Sequence, residues 1–305
     1  MSWNPRALPD LSGRVYAVTG GNAGIGYFIT EQLAAAGAHV ALLGRDPARL
    51  RTAVAMVRAQ VGDSASLSTI PLDLADLDTV PAAADALGRL DRIDALIENA
   101  GLTAPGPVRR TTRQGLELAV GTNHFGHFAL TALAMPALTA SSARVVLAGS
   151  LITRMYPYDV ADLQSSRKYS DFRAYALSKH AVQSFAFELD RRLRAAGSPV
   201  RSILAHPGFS LDRTSPARPG ITTPVPIMRV LAPGTHGKDR GAWPFVQAAV
   251  DPAATSGSYY GPAFGSVGRT RSGRPPAASR DQAKARQLWA LSEEATGITF
   301  ALGGS

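Results

Sequence analysis

The sequence predicts an α/β fold: a doubly wound parallel sheet of about seven strands, with helices on both faces, in a single domain. Three observations carry this. Short apolar runs alternate with segments of helical period from Val15 to Ala205, which is the pattern of βαβ units. Runs such as Ala41-Leu42-Leu43 and Val145-Val146-Leu147 are continuously apolar, as strands covered on both faces must be. The connections stay short up to Ala205, so no linker marks off a second domain and residues 1–305 read as one unit.

The elements follow in order. Residues 15–19 form a strand that enters a glycine-rich turn. Residues 25–36 take helical spacing through Ile25, Phe28, Ile29 and Leu33, and Gly37 stops them. Residues 39–43 are a second strand. The next helix covers 47–60, with Pro47 in its first turn and Asp46 as its N-cap. A strand at 66–72, a helix at 76–90 and a strand at 93–97 come next. Residues 114–138 read as helical, continuous or interrupted. Then come a strand at 144–148, a long helix at 172–196 and a strand at 200–205. Beyond Pro207 the chain turns rich in Pro, Gly and Thr, so 209–240 reads as a variable, substrate-side lid. A helix is expected at 241–250 and a last edge strand at 257–260. Residues 261–305 form a C-terminal extension: loop over 261–278, then a final helix at 282–296 started by Asp281 or Ser279.

Composition narrows the chemistry. The 305 residues contain no cysteine, which removes disulfides, thiolate catalysis and cysteine-held metals. No stretch is long and apolar enough to span a membrane, and no apolar leader opens the chain. A soluble cytoplasmic protein is expected. The net charge is +9, and only Lys168, Lys179, Lys238 and Lys284 are lysines. Such charge fits an anionic partner or an arginine-rich solvated surface. No run of five basic residues occurs, so nucleic acid is not expected as a partner. One or two arginines would suffice for a phosphorylated cofactor. His124, His127 and His206 lie apart from any carboxylate cluster, and no metal is expected.

The turn Thr19-Gly20-Gly21-Asn22-Ala23-Gly24-Ile25-Gly26 lies between the first strand and first helix. Glycines there allow a tight turn and close approach of a pyrophosphate, while the helix N-terminus offers free N–H groups. This makes the sheet Rossmann-type and nominates Gly20, Asn22, Gly24, Ile25 and Gly26. Arg45 follows the second strand, where a dinucleotide places its adenosine ribose. Arginine suits a 2′-phosphate, so NADP(H) is favoured over NAD(H). Asp46 would either reach a ribose hydroxyl or cap its helix.

Tyr175 and Lys179 are one helical turn apart. A nearby ammonium favours the phenolate and brings tyrosine toward use as a general acid or base. That spacing is common by chance. Here it arrives with the glycine turn, Asn99-Ala100-Gly101, Asn123, Ser150 and Pro207-Gly208, in the order of the short-chain dehydrogenase/reductase family, which the chain resembles from about residue 11 to 208. Within that family Asn123-His124-Phe125-Gly126-His127-Phe128 and the long gap from Ser150 to Tyr175 resemble the retinol dehydrogenase and protochlorophyllide reductase-like branch.

The resemblance implies roles. Ser150 would hold the substrate oxygen. Tyr175 would give or take the proton, and Lys179 would bind the nicotinamide ribose and lower the Tyr175 pKa. Asn123 would hold a water that links Lys179 to solvent. Asn99, Ala100, Gly101, Pro207 and Gly208 would line the cofactor. Asp73, followed by Leu74, resembles the residue that meets the adenine, although a plain loop carboxylate fits there as well. Two departures stand out. Glu98 replaces a common asparagine, and Asp212 stands where relatives place a threonine.

The implied activity is ketone/alcohol oxidoreduction on a lipophilic small molecule, as in the tailoring of secondary metabolites. Leu151, Ile152, Met155, Tyr156, Tyr158, Phe209, Asp212, Ile221, Val225, Ile227 and Met228 are the substrate-side candidates. A carbon–carbon double-bond reductase on the same scaffold and a non-catalytic NADP(H) sensor are the alternatives. Monomer and homodimer both fit.

Overall fold

The computed structural model describes residues 3–222 and 234–302; the candidates Val225, Ile227 and Met228 lie outside them. β1 (Val15–Thr19), α1 (Gly24–Ala35), β2 (His39–Gly44), α2 (Pro47–Val61), β3 (Leu67–Pro71), α3 (Val80–Gly88) and β4 (Ala95–Glu98) alternate along the chain. They are followed by α4 (Leu118–Val120), a π-helical turn (Gly121–Phe125), α5 (Gly126–Ala140), β5 (Arg144–Ala148), α6 (Asp171–Ala195) and β6 (Arg201–Ala205). The remainder supplies β7 (Ser210–Leu211), β8 (His236–Gly237), α7 (Lys238–Gly241), α8 (Trp243–Val250), β9 (Tyr259–Pro262), β10 (Thr270–Ser272) and α9 (Gln282–Thr296).

Among the described residues the main sheet has eight strands in the order β10-β9-β6-β5-β4-β1-β2-β3. All neighbours are parallel except β10, which runs antiparallel to β9. From β1 the chain winds outward to β3, then returns to β4 on the other side of β1. That reversal opens a crevice at the carboxyl ends of β1 and β4, where such sheets bind ligands.

The expected fold class is present, with local corrections. The strand at 257–260 is not an edge, because β10 adds outside it. Residues 263–269 close a hairpin through Ala263 N–H to Arg269 O and Phe264 N–H to Val267 O, so the stretch expected as loop contains a strand. The helix expected from 114 begins only at Leu118. Gly115 (φ +79°) turns the chain first, and the Glu117 carboxylate then accepts from the Ala119 and Val120 amides as the cap. The helix expected from 76 opens as a 3-10 turn, Leu77–Thr79, and becomes α-helical at Val80. Pro81, which has no N–H to give, sits in the first helical turn.

Two apolar layers cover the sheet. One joins it to α3, α5, α6 and α9, and the other to α1, α2 and α8. Phe128 is the hub of the first, with ring centroids 5.4 Å from Phe185, 5.4 Å from Trp289 and 5.2 Å from Phe300. Burying each such side chain is worth roughly 1.5–3 kcal/mol, so α9 is docked to the wall that carries the site. No helix among the described residues is long and apolar enough to cross a membrane.

Candidate active site

The glycine-rich turn is shaped by contacts that only glycine allows. Gly20 and Gly24 have φ of +65° and +56°. A Cβ on Gly26 would lie 2.3 Å from Gly20 O and 2.4 Å from Asn99 Nδ2, so the turn folds tightly onto α1. Ala23 opens α1 with no side-chain hydrogen bond to its amides, and no acidic residue occupies its first turn. The N-terminal N–H groups and the positive end of the helix dipole are thus left for an anion. These features fit a dinucleotide diphosphate.

Across the crevice, β5 ends at Ala148 and delivers Ser150. α6 is started by Ser170, whose hydroxyl accepts from the Arg173 amide, and it presents Tyr175 and Lys179 on one face. Tyr175 donates its hydroxyl hydrogen to Ser150 Oγ at 3.3 Å. Lys179 Nζ donates to Ala148 O at 2.9 Å. The structure thus brings the three motif residues together at the end of β5.

Asn123 joins them by another route. The π-helical turn carries it inward, where its Oδ1 accepts from Leu102 N–H at 2.7 Å. Its Nδ2 donates to Leu102 O at 3.0 Å and Ser178 Oγ at 2.8 Å. Gly101 fits against this group, since a Cβ there would sit 3.0 Å from Asn123 Oδ1 and 3.6 Å from Lys179 Nζ.

A buried relay fixes the turn from behind. Asn123 O can only accept, so His127 Nδ1, 2.9 Å away, carries the ring proton. His127 Nε2 then accepts from Thr19 Oγ1 at 2.9 Å, and Thr19 Oγ1 accepts from Ala100 N–H at 3.0 Å. Burial holds the His127 pKa down to about 4, so the ring is neutral as this relay requires. Asn99 completes the frame, its Nδ2 donating to Thr19 O at 3.2 Å.

Burial dominates the electrostatics. It pushes the Tyr175 hydroxyl upward, and the hydrogen bond to Ser150 pulls it partly back. It depresses Lys179 to about 8. Glu98, buried at the end of β4, is pushed up to about 8, and Thr131 Oγ1 donates to its Oε1. Its Oε2 has no hydrogen-bond partner, which a protonated carboxyl tolerates far better than a carboxylate.

The remaining nominated residues separate clearly. Arg45 is exposed at the end of β2. Asp46 Oδ1 accepts from Ala48 and Arg49 N–H at 2.8 and 3.2 Å, so it caps α2. Asn22 lies against Gly44, where a Cβ would be 2.8 Å from its Oδ1. Asp73 Oδ1 accepts from Ala75 N–H within its own loop, and Leu74 packs against Gly126, whose added Cβ would be 2.4 Å from Leu74 O. Pro207 O accepts from Ser210 Oγ and His236 Nε2. Gly208 has φ +69° and no room for a side chain, a Cβ lying 2.2 Å from Ser266 O.

Of the substrate-side candidates, Leu151 and Ile152 open a 3-10 turn directly after Ser150. Phe209 is exposed. Asp212 Oδ2 meets Lys238 Nζ at 2.8 Å. Tyr158 is buried and stacks on His180 at 4.9 Å, so it packs the core instead of lining an opening.

Motif gave no indication of Gln183. Its Nε2 donates to Ser150 O at 2.9 Å and Thr153 Oγ1 at 3.0 Å, and its Oε1 accepts from Ser279 Oγ at 3.0 Å. The available signal was a glutamine one turn after Lys179 on α6, at a position the helix buries completely.

A doubly wound sheet with an anion-receptive turn at its switch point and a Ser-Tyr-Lys cluster beside it defines a nucleotide-dependent oxidoreductase. The chain belongs to the short-chain dehydrogenase family, whose model matches residues 14–216. It is 36% identical over 314 residues to the polyprenol dehydrogenase of Mus musculus, covering 99% of this chain and 88% of that protein. Retinol dehydrogenase 13 of Homo sapiens is 32% identical over 302 residues, covering 94% and 86%. The crystal structure of an uncharacterized protein from Mycobacterium paratuberculosis superposes with a TM-score of 0.81 at 34% identity, covering 99% and 100%. These likenesses place the chain in the retinol dehydrogenase-like branch, as an oxidoreductase acting on CH–OH groups.

Proposed function

We propose that this chain is an NADP(H)-dependent oxidoreductase that interconverts a ketone or aldehyde and an alcohol on a lipophilic small molecule. The observation that carries the proposal is the hydrogen bond from the Tyr175 hydroxyl to Ser150 Oγ at 3.3 Å, beside the α6 lysine. In reduction, Ser150 holds the substrate oxygen and Tyr175 gives it a proton; in oxidation Tyr175 takes that proton back. Lys179 binds the nicotinamide ribose, and its charge favours the phenolate. Asn123 holds the Leu102 backbone beside Lys179 and positions the water that reaches it. When bound, the nicotinamide supplies or accepts the hydride.

Three features support the finer points. Arg45 is exposed at the end of β2 while Asp46 is engaged as a helix cap, which favours a 2′-phosphate over a free ribose hydroxyl. Gly20, Asn22, Gly24, Ile25 and Gly26 would hold the diphosphate side, with Asp73 and Leu74 near the adenine. Asn99, Ala100, Gly101, Pro207 and Gly208 would line the nicotinamide half. For substrate, Met155, Phe172 and Phe209 are apolar yet exposed, and all three follow the carboxyl ends of strands, the edge that carries Ser150. Two relatives are named for polyprenol and retinol, which are both isoprenoid alcohols.

The test is a panel of aliphatic, aromatic and isoprenoid carbonyls and alcohols, with NADPH and NADH followed by absorbance. Turnover of apolar members with NADPH is expected. Turnover confined to small polar substrates, or preferring NADH, would contradict the proposal.

A further inference from the structure

We propose that Lys238 clamps the diphosphate of the dinucleotide, and that Asp212 competes with the diphosphate for it. This rests on the dinucleotide reading of the glycine-rich turn.

The placement comes from strand register. β7 and β8 pair in parallel, Ser210 with His236 and Leu211 with Gly237. The next residue of each strand is Asp212 and Lys238, so they leave the pair side by side, and Asp212 Oδ2 meets Lys238 Nζ at 2.8 Å. The Lys238 amide is fixed by Ser215 Oγ at 2.8 Å. The next residue is fastened to α1, since Gln32 Nε2 donates to Asp239 O at 2.8 Å.

These ties bring the ammonium over the turn. A Cβ on Gly24, the first residue of α1, would lie 3.6 Å from Lys238 Nζ. A cation at this end of a helix opposes the helix dipole, which favours anions there and cations at the other end. The arrangement becomes favourable once an anion sits between the N–H groups of α1 and the ammonium, and a diphosphate is that anion. Asp212 is a poor permanent partner. Its Oδ1 has no hydrogen bond, and its side chain is 39% exposed beside a lysine that is 23% exposed. Such pairs hold weakly, so a diphosphate with two charges would draw Lys238 away, while Asp212 would repel it.

The test is equilibrium binding by fluorescence or calorimetric titration, without turnover. The probes are NADPH, NADH and 2′-AMP, which has the 2′-phosphate but no diphosphate. Lys238→Met is expected to weaken NADPH and NADH alike by about tenfold or more and to leave 2′-AMP unchanged; Lys238→Arg should recover most of the loss. Asp212→Asn is expected to tighten both dinucleotides. Unchanged dinucleotide affinity in Lys238→Met, an equal loss for 2′-AMP, or weaker dinucleotide binding in Asp212→Asn would overturn the proposal. If the unaltered protein binds neither dinucleotide, the dinucleotide reading itself fails.

Discussion

Gln183 Nε2 reaches back from α6 to hold the backbone carbonyl of Ser150 at 2.9 Å, and Ser279 of the C-terminal extension holds Gln183 in turn. Ser150 of the candidate site is therefore positioned through Gln183 by Ser279, which lies 96 residues beyond Gln183 in the chain. Removing one partner from a buried hydrogen bond costs about 1–3 kcal/mol. Gln183→Ala should lower both melting temperature and kcat, with KM for NADPH little changed. Ser279→Ala should show the same split more weakly. A Gln183→Ala enzyme that melts early but keeps its kcat would show the contact to be structural alone.

Glu98 offers a test through pH. Its pKa rises from 4.5 to about 8 because it is buried. The native state therefore holds the proton more tightly than the unfolded chain does. The stability this gives is complete below about pH 4.5 and is lost as pH climbs through about 8. Denaturant titrations should show stability falling across that interval and a flatter curve for Glu98→Gln. Parallel curves for the two proteins would place the pH dependence elsewhere.

Gly26→Ala should be among the most damaging single-atom additions. The new methyl would meet Gly20 O and Asn99 Nδ2 at 2.3 and 2.4 Å; the first is backbone of the turn, and the second would have to give up its hydrogen bond to Thr19 O. We expect dinucleotide binding to disappear and thermal stability to fall. Wild-type affinity would mean that the turn is more compliant than its packing implies.

Arg45→Ala should discriminate between cofactors. A hydrogen bond to a charged group contributes about 1.5–3 kcal/mol, so NADPH affinity should fall by about tenfold to a hundredfold. NADH affinity should stay close to its starting value. Equal losses for both would remove Arg45 from the 2′-phosphate site.

Much of this was legible from sequence because strand order and motif order are written locally. Continuous apolar runs marked buried strands, Asp46-Pro47 marked a helix start, and the glycine turn, Asn99-Ala100-Gly101, Ser150 and Pro207-Gly208 each follow the end of a strand. What escaped depends on contacts between distant segments. β10 is short and polar, and pairing with β9 makes it a strand. Gln183 has no motif, and its importance comes from Ser150 and Ser279 converging on it. Tyr158 carries the composition of a pocket residue, yet stacking on His180 takes it into the core. The pairing of Asp212 with Lys238 is set by the β7–β8 register, which joins two distant segments.

The central claim is that Tyr175 moves the proton. The most direct measurement compares Tyr175→Phe with the unaltered protein for turnover of the best carbonyl substrate and for NADPH affinity by titration. Removing the hydroxyl should abolish turnover, a loss of at least about a hundredfold, while NADPH binds nearly as before. A Tyr175→Phe protein that turns over at the original rate would contradict the account.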